Sequence, residues 1–494
     1  MSRRSHALRN REAVHVDRPE WAAADTPPHR RPLPLVTREA VARPESHATL
    51  ERLTRVNHTR NDDKWASPKI AELREKGSAI RRETLGDLET YLGQLTRSVE
   101  GNGGQVHRAA TPEGAREIIG AIARRHGVGL AVKSKSMVTE EIALTPYLEE
   151  RGVEVVETDL GEYIVQLADE RPAHIIGPAL HKSRADVHQM FSELAGTDLP
   201  GKAEELTAFA RTRLREDFHT ADLGISGVNF AAADTGTLVL VTNEGNGRMV
   251  TSQPRVHVAV MTVEKVIPRL ADLGVLIPLL SHSATSQKVS GYQTMVTGPR
   301  RPGEPDGPEE LHLVILDNGR TDVARGKYAE ALACIRCGAC QLACPVFRTL
   351  GGGHGYDSVY GGPIGAVLTP LIGDQDKGAD LPYLSSLCGA CADVCPVQIP
   401  LPDMLVDLRA DYEHRSGGPA KAGWSLWSRL WSMPWAYRLS VFGARTVGRA
   451  PGLVRALAQR SALGRGWTRG RVLPPLRRAG DARRWFTRRG GRDD

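Results

Sequence analysis

The chain has 494 residues, 40% hydrophobic and 25% charged, with a formal net charge of +7. That length predicts about two or three domains, and no run of 18 apolar residues is present to form a membrane-spanning helix. The charge is uneven: residues 415–494 hold 18 Lys/Arg against 3 Asp/Glu, a balance of +15 that leaves −8 for the rest.

Residues 1–45 are Arg-, His- and Pro-rich and read as a flexible extension. Residues 46–100 read as a helical segment, because Ile70, Leu73, Leu85, Leu88, Tyr91, Leu92 and Leu95 recur at helical spacing. Residues 101–325 alternate helix and strand. Thr111-Pro112 starts a helix that stops at Gly127. Strands are predicted at 129–133, 153–157, 174–176, 237–242, 256–260 and 311–316, with helices at 182–194 and 203–216. Near-continuous apolar strands between helices predict an α/β domain with a largely parallel sheet. A Pro/Gly-rich loop covers 299–309. Residues 326–412 hold all the cysteines and read as a helical ferredoxin-like module, with loops at 351–355 and 360–365. Residues 413–494 form a basic Trp/Arg-rich region, disordered beyond about Ala450.

The seven cysteines fall in two runs, Cys334-Ile-Arg-Cys337-Gly-Ala-Cys340-Gln-Leu-Ala-Cys344-Pro345 and Cys388-Gly-Ala-Cys391-Ala-Asp-Val-Cys395-Pro396. The spacing C-x2-C-x2-C-x3-C-P is the two-cluster iron–sulfur form, in which the fourth cysteine serves the other cluster. Crossing the ligands assigns Cys334, Cys337, Cys340 and Cys395 to cluster 1 and Cys344, Cys388 and Cys391 to cluster 2. Ser385 stands where the second run lacks its first cysteine. Cluster 2 is then 4Fe–4S with water, a serine oxygen or a substrate atom at its fourth iron, or else 3Fe–4S. Zinc, which prefers isolated CxxC pairs, fits seven cysteines poorly. The arginine-rich N-terminus has no apolar h-region, so no secretory signal is expected. Free cysteines in odd number fit a reducing, cytoplasmic location.

Cys334 to Cys340, Gly362-Pro-Ile-Gly-Ala-Val-Leu-Thr-Pro370 and Leu381 to Cys391 resemble the lactate-utilization iron–sulfur protein B family. Ser134 to Ile142, Asn229 to Thr237 and Asn243 to Arg248 resemble the LUD domain of that family. The resemblance covers roughly residues 50–440. It implies a NagB/RpiA/CoA-transferase-like α/β fold followed by the two-cluster module. It also implies a part in oxidising L-lactate to pyruvate, beside A- and C-type sister proteins. The absence of a cysteine at Ser385 matches the family.

The chain shows no GxGxxG in a strand–helix context and no Walker A motif, so no hydride acceptor of its own is evident. Two clusters in series fit an electron relay. Lys133, Lys135, Thr235, Thr237, Glu244 and Arg248 form a candidate anion pocket for a small 2-hydroxy acid or its oxidation product, at glycine-rich strand ends. Histidines 174, 181, 257 and 312 lack metal-ligand spacing and read as packing or surface residues; His354 reads as a loop residue. Trp424, Trp427, Trp431 and Trp435 share one helical face, which packs on a partner or on the ferredoxin-like module, or meets the inner face of the membrane. No nucleic-acid motif is present. The reading is an electron-transfer subunit of a lactate-oxidising complex; its alternatives are an iron–sulfur redox or metabolite sensor and a zinc-stabilised scaffold.

Overall fold

The computed structural model describes residues 33–42, 51, 67–372, 378–416 and 419–447. They fall in two compact units, one ending at Asp411 and one beginning at Tyr412. The strands, in chain order, are β1 (Gln105–Ala109), β2 (Leu130–Lys133), β3 (Glu154–Glu157), β4 (Leu223–Gly227), β5 (Phe230–Ala232), β6 (Thr237–Thr242), β7 (Val256–Thr262), β8 (Val266–Ile267), β9 (Tyr292–Val296) and β10 (Glu310–Leu316). Six of them make a sheet in the order β1-β10-β7-β4-β2-β3, parallel throughout. A smaller sheet runs β8-β5-β6-β9 and contains the antiparallel pairs.

The helices that matter for the site are α1 (Leu33–Val41), α2 (Pro68–Gly86), α3 (Leu88–Gly101), α4 (Pro112–Arg125), α5 (Met137–Glu141) and α6 (Leu144–Glu149). The apolar runs of β7 and β10 are buried on both faces, as a parallel sheet demands. Val256, Val258, Val260, Val314 and Leu316 meet Ile119 and Ile122 of α4 and Leu148 of α6 on one side. Ala259, Met261, Leu311 and Leu313 meet Leu92, Leu95 and Val99 of α3 on the other. Thr111 caps α4 by accepting the Gly114 N–H at 3.2 Å, with Pro112 beginning the helix.

Three expectations change. Residues 174–176 form a bend and not a strand, because His174 Nδ1 accepts the N–H groups of Ile176 at 3.1 Å and Gly177 at 3.2 Å. Their backbone is turned back locally, so it is unavailable to a ladder. Within the expected flexible extension, α1 forms and buries Leu33, Val36 and Ala40; the rest of residues 1–32 lies outside the described residues. Gly362–Leu368 is a helix and not a loop, started by Pro363. The expected disorder beyond Ala450 also lies outside the described residues.

The cysteine module shares its core with the α/β part. Ile80 of α2 and Phe230 and Val239 of the small sheet lie in one apolar cluster with Phe347, Ile364, Val397 and the buried cysteines. A chain of buried charges fastens the same joint. Arg320 binds Glu141 at 2.6 Å and Glu264 at 3.3 Å, and Arg336 binds Glu264 at 3.1 Å. Tyr360 donates to Glu141 at 2.6 Å, and Asn318 donates to it at 2.7 Å. Burial opposes ionisation of Glu264, yet Arg320 and Arg336 hold it at about 2. Removing one member of such a network leaves an uncompensated buried charge, at a cost of about 3–5 kcal/mol. Glu141→Gln is therefore expected to lower the urea unfolding midpoint by the equivalent of that amount. An unchanged midpoint would show that Arg320 does not depend on Glu141.

Candidate metal centre

The local backbone of the two cysteine runs is the same. Arg336 and Leu387 both hold positive φ, at 61° and 56°, one residue before Cys337 and Cys388. Gly338 and Gly389 follow at φ 74° and 87°. Short helices then start at Ala339 and Ala390, carrying Cys340 and Cys391 inward. Glycine suits the left-handed position after each cysteine. At Gly338 a side chain is also excluded, since a Cβ there would come within 2.9 Å of the His174 ring.

All seven cysteines are free thiols; Cys388 is exposed, Cys334 half-buried and the others buried. Burial pushes the Cys337 and Cys340 thiols up, and Cys334 and Cys395 push them further. Cys395 is pushed up to about 11 by burial, and Cys334 adds to it. A second group is separate. Cys391 is pushed up to about 12 by burial, then by Cys344 and Cys388. Cys344 is raised by burial and by Cys388. Tyr356 lies where the two groups meet: its hydroxyl is raised by burial, then by Cys344, Cys340 and Cys391.

Crowded, buried thiols repel one another as thiolates, and a bound cation core reverses that penalty and deprotonates them. The surroundings favour it. The Arg336 N–H points at Cys334 Sγ at 3.4 Å, Phe347 N–H at Cys344 Sγ at 3.5 Å and Ile399 N–H at Cys395 Sγ at 3.3 Å. Cations gather near the first group. Arg74 donates to the Cys395 carbonyl at 2.8 Å. The charges of Arg81 and Arg336 act on Cys334, whereas Lys265 nearby is pushed down to about 7 by burial and by Arg336. The residues present fit iron–sulfur clusters.

The anion-pocket residues are spread over two places. Thr235 donates to Thr237 at 2.9 Å at the start of β6, whereas Glu244 and Arg248 follow its end. A six-residue strand separates them by about 17 Å. At the other end, Glu244 accepts the Leu160 N–H at 3.5 Å and feels the charges of Asp159 and Lys135. Lys133 is fully buried and bound to Glu157, and to Glu140 at 2.9 Å. These carboxylates outweigh burial and raise its pKa, so its charge is already compensated. Burial, then Glu157 and Glu140, pushes Glu162 well above the usual carboxylate range. Lys135 donates to the Ile176 carbonyl. Arg248 is exposed. So Lys133, Lys135 and Glu244 gather at the carboxyl ends of β2 and β6, and the two threonines stand apart.

Two histidine clusters were not legible from spacing. Glu170, His181 and His354 come together from separate segments, as do His126, Glu310 and His312. His181 bonds Glu170 at 2.6 Å, and Lys182 holds the other oxygen at 2.8 Å. His257 meets Ser226 at 2.8 Å inside the sheet, and burial pushes it down to about 3.

The geometry accords with what the chain is similar to. Residues 92–316 match the LUD domain, and residues 330–399 match the 4Fe-4S dicluster domain. "Lactate utilization protein B" of Oceanobacillus iheyensis is 45% identical over 415 residues, covering 83% of this chain and 84% of the relative. The protein of that name from Bacillus thuringiensis is 47% identical over 372 residues, covering 75% and 76%. "Uncharacterized electron transport protein YkgF" of Escherichia coli is 46% identical over 371 residues, covering 75% and 76%. The chain belongs to the lactate utilization protein B family. Its dicluster domain indicates two 4Fe–4S clusters, in place of the zinc alternative. The family's LUD domain is the parallel-sheet unit described above. Cys388→Ser is expected to remove one cluster and keep the other, read by iron and sulfide analysis with EPR. Loss of both from a folded protein would contradict separate cysteine groups.

Proposed function

We propose that the chain is the iron–sulfur electron-transfer component of a system oxidising L-lactate to pyruvate. Its relatives' names carry the substrate, and the two cysteine groups meeting at Tyr356 support the relay. Lactate oxidation releases two electrons and two protons. Bound 4Fe–4S clusters supply one-electron carriers, so two in series pass the pair stepwise. Cys334, Cys337, Cys340 and Cys395 hold one cluster, and Cys344, Cys388 and Cys391 hold the other. Arg81 and Arg336 stabilise added negative charge beside Cys334, while their low-dielectric surroundings strengthen that attraction. Exposed Cys388 puts the second group at the surface, where a partner can exchange electrons. The A- and C-type sister proteins are the partners this reading requires. Anaerobic addition of L-lactate to the assembled complex should reduce the clusters, followed by EPR. Clusters that stay oxidised while pyruvate forms would remove the relay.

A peripheral membrane contact is supported by the second unit. No described helix is long and apolar enough to cross a membrane. Pro419–Ser432 and Pro434–Val447 are amphipathic helices. Trp424 is 67% exposed and Trp435 63%, with Trp427, Trp431, Leu439 and Phe442 also open to solvent. Residues 419–447 contain four Lys/Arg and no Asp/Glu. An exposed aromatic face with cations suits the interface of an anionic bilayer, where each basic residue contributes about 1 kcal/mol. The full-length protein should sediment with phosphatidylglycerol vesicles and not with phosphatidylcholine vesicles. Replacing Trp424, Trp427 and Trp435 by Ser should release it; equal sedimentation of the variant would refute the contact.

A further inference from the structure

We propose that Ser385 Oγ is the fourth protein ligand of the cluster held by Cys344, Cys388 and Cys391. The proposal rests on the iron–sulfur reading above. Its evidence is an internal comparison of the two runs. Cys334 stands three residues before Cys337, and Ser385 stands three before Cys388. The Arg336 N–H donates to Cys334 Sγ at 3.4 Å, and the Leu387 N–H donates to Ser385 Oγ at 3.1 Å. The donor residue is in the left-handed region both times, at φ 61° and 56°. A glycine at φ 74° or 87° and a short helix follow in each. The serine oxygen therefore occupies, relative to its backbone, the place that a ligand sulfur occupies in the other run.

Ser385 is also held there. Arg409 donates to the Ser385 carbonyl at 3.3 Å and to the Pro382 carbonyl at 2.8 Å, anchoring the loop to the helix at Leu401–Ser416. A serine oxygen has two lone pairs. One accepts the Leu387 N–H, and the other remains for iron. Binding iron displaces the hydroxyl proton to solvent, and the N–H stabilises the resulting alkoxide as it would a thiolate. A hard oxygen on one iron and soft sulfur on three makes that iron unlike its neighbours. It is the iron that exchanges its ligand most readily, at the edge where Leu387 and Cys388 are exposed.

The test uses anaerobically prepared full-length protein enriched in ⁵⁷Fe. Absence of iron and sulfide from the wild type would sink the parent reading, independently of Ser385. With both clusters present, Mössbauer spectra should show one distinct iron site, which Ser385→Cys should convert to the all-thiolate type. Ser385→Ala should release one iron on mild oxidation more than about a hundredfold faster, exceeding what loss of an outer-shell partner does, and give a 3Fe–4S EPR signal. A Ser385→Cys spectrum identical to wild type overturns the proposal, even if the alanine variant loses the whole cluster. An alanine variant that keeps its iron and spectrum unchanged overturns it as well.

Discussion

The joint between the sheet and the cysteine module depends on charge that has been taken out of water. Glu141, Arg320, Glu264 and Arg336 alternate in sign, and Arg320 and Glu264 are wholly buried. Each ion costs several kcal/mol to desolvate and is stable only while its partners stay in place. Glu141 ends α5, Glu264 follows β7, Arg320 follows β10, and Arg336 lies between Cys334 and Cys337. Two strand ends and the ligand loop are thus held in one geometry. A shift of the loop by a single hydrogen bond would strand a buried charge. Apolar contact alone tolerates sliding; this network does not.

That explains where the module sits. Open α/β sheets bind ligands beyond the carboxyl ends of their strands. Here the cysteine module occupies part of that edge. Arg336 meets Glu264 there, and the Gln341 side-chain Oε1 accepts the Ile175 N–H at 3.3 Å. The remainder of the edge, at β2 and β3, carries Lys133 among Glu140, Glu157 and Glu162. The two regions are joined through His174. Its neutral ring, pushed down to about 3 by burial and by Lys135, faces Gly338 of the first cysteine run.

The sequence showed those parts whose cause is local. Thiolate spacing, the Thr111 cap and the apolar runs of β7 and β10 act within a few residues, so pattern was enough. The short strands β1, β4, β5 and β9 escaped it. β4 carries glycines at 224 and 227, where a Cβ at Gly224 would strike the Val250 carbonyl at 2.0 Å. Its strand character comes from its neighbours and not from its own propensity. His174–Ile176 failed for the opposite reason: an apolar β-branched pair is drawn into a turn by a side chain that bonds its backbone. The threonines at 235 and 237 read as part of one pocket with Glu244 and Arg248 although the 237–242 strand lies between them, because spacing alone does not show that a straight strand holds its two ends apart. The pairings of Glu170 with His181 and His354 span up to 184 residues and have no local signature.

The two cysteine groups differ in their electrostatics although their backbones repeat. The first is mostly buried, ringed by Arg74, Arg81 and Arg336, with Glu264 as the facing anion. Fixed cations in a low-dielectric interior would favour added negative charge there. The second group has its exposed member at Cys388, where water screens charge. The same loop geometry therefore stands in two different electrostatic environments. The cations come from α2 and from the ligand loop itself, and Glu264 from the segment after β7, so the packing around the loop supplies a charge asymmetry that the cysteine motif alone lacks.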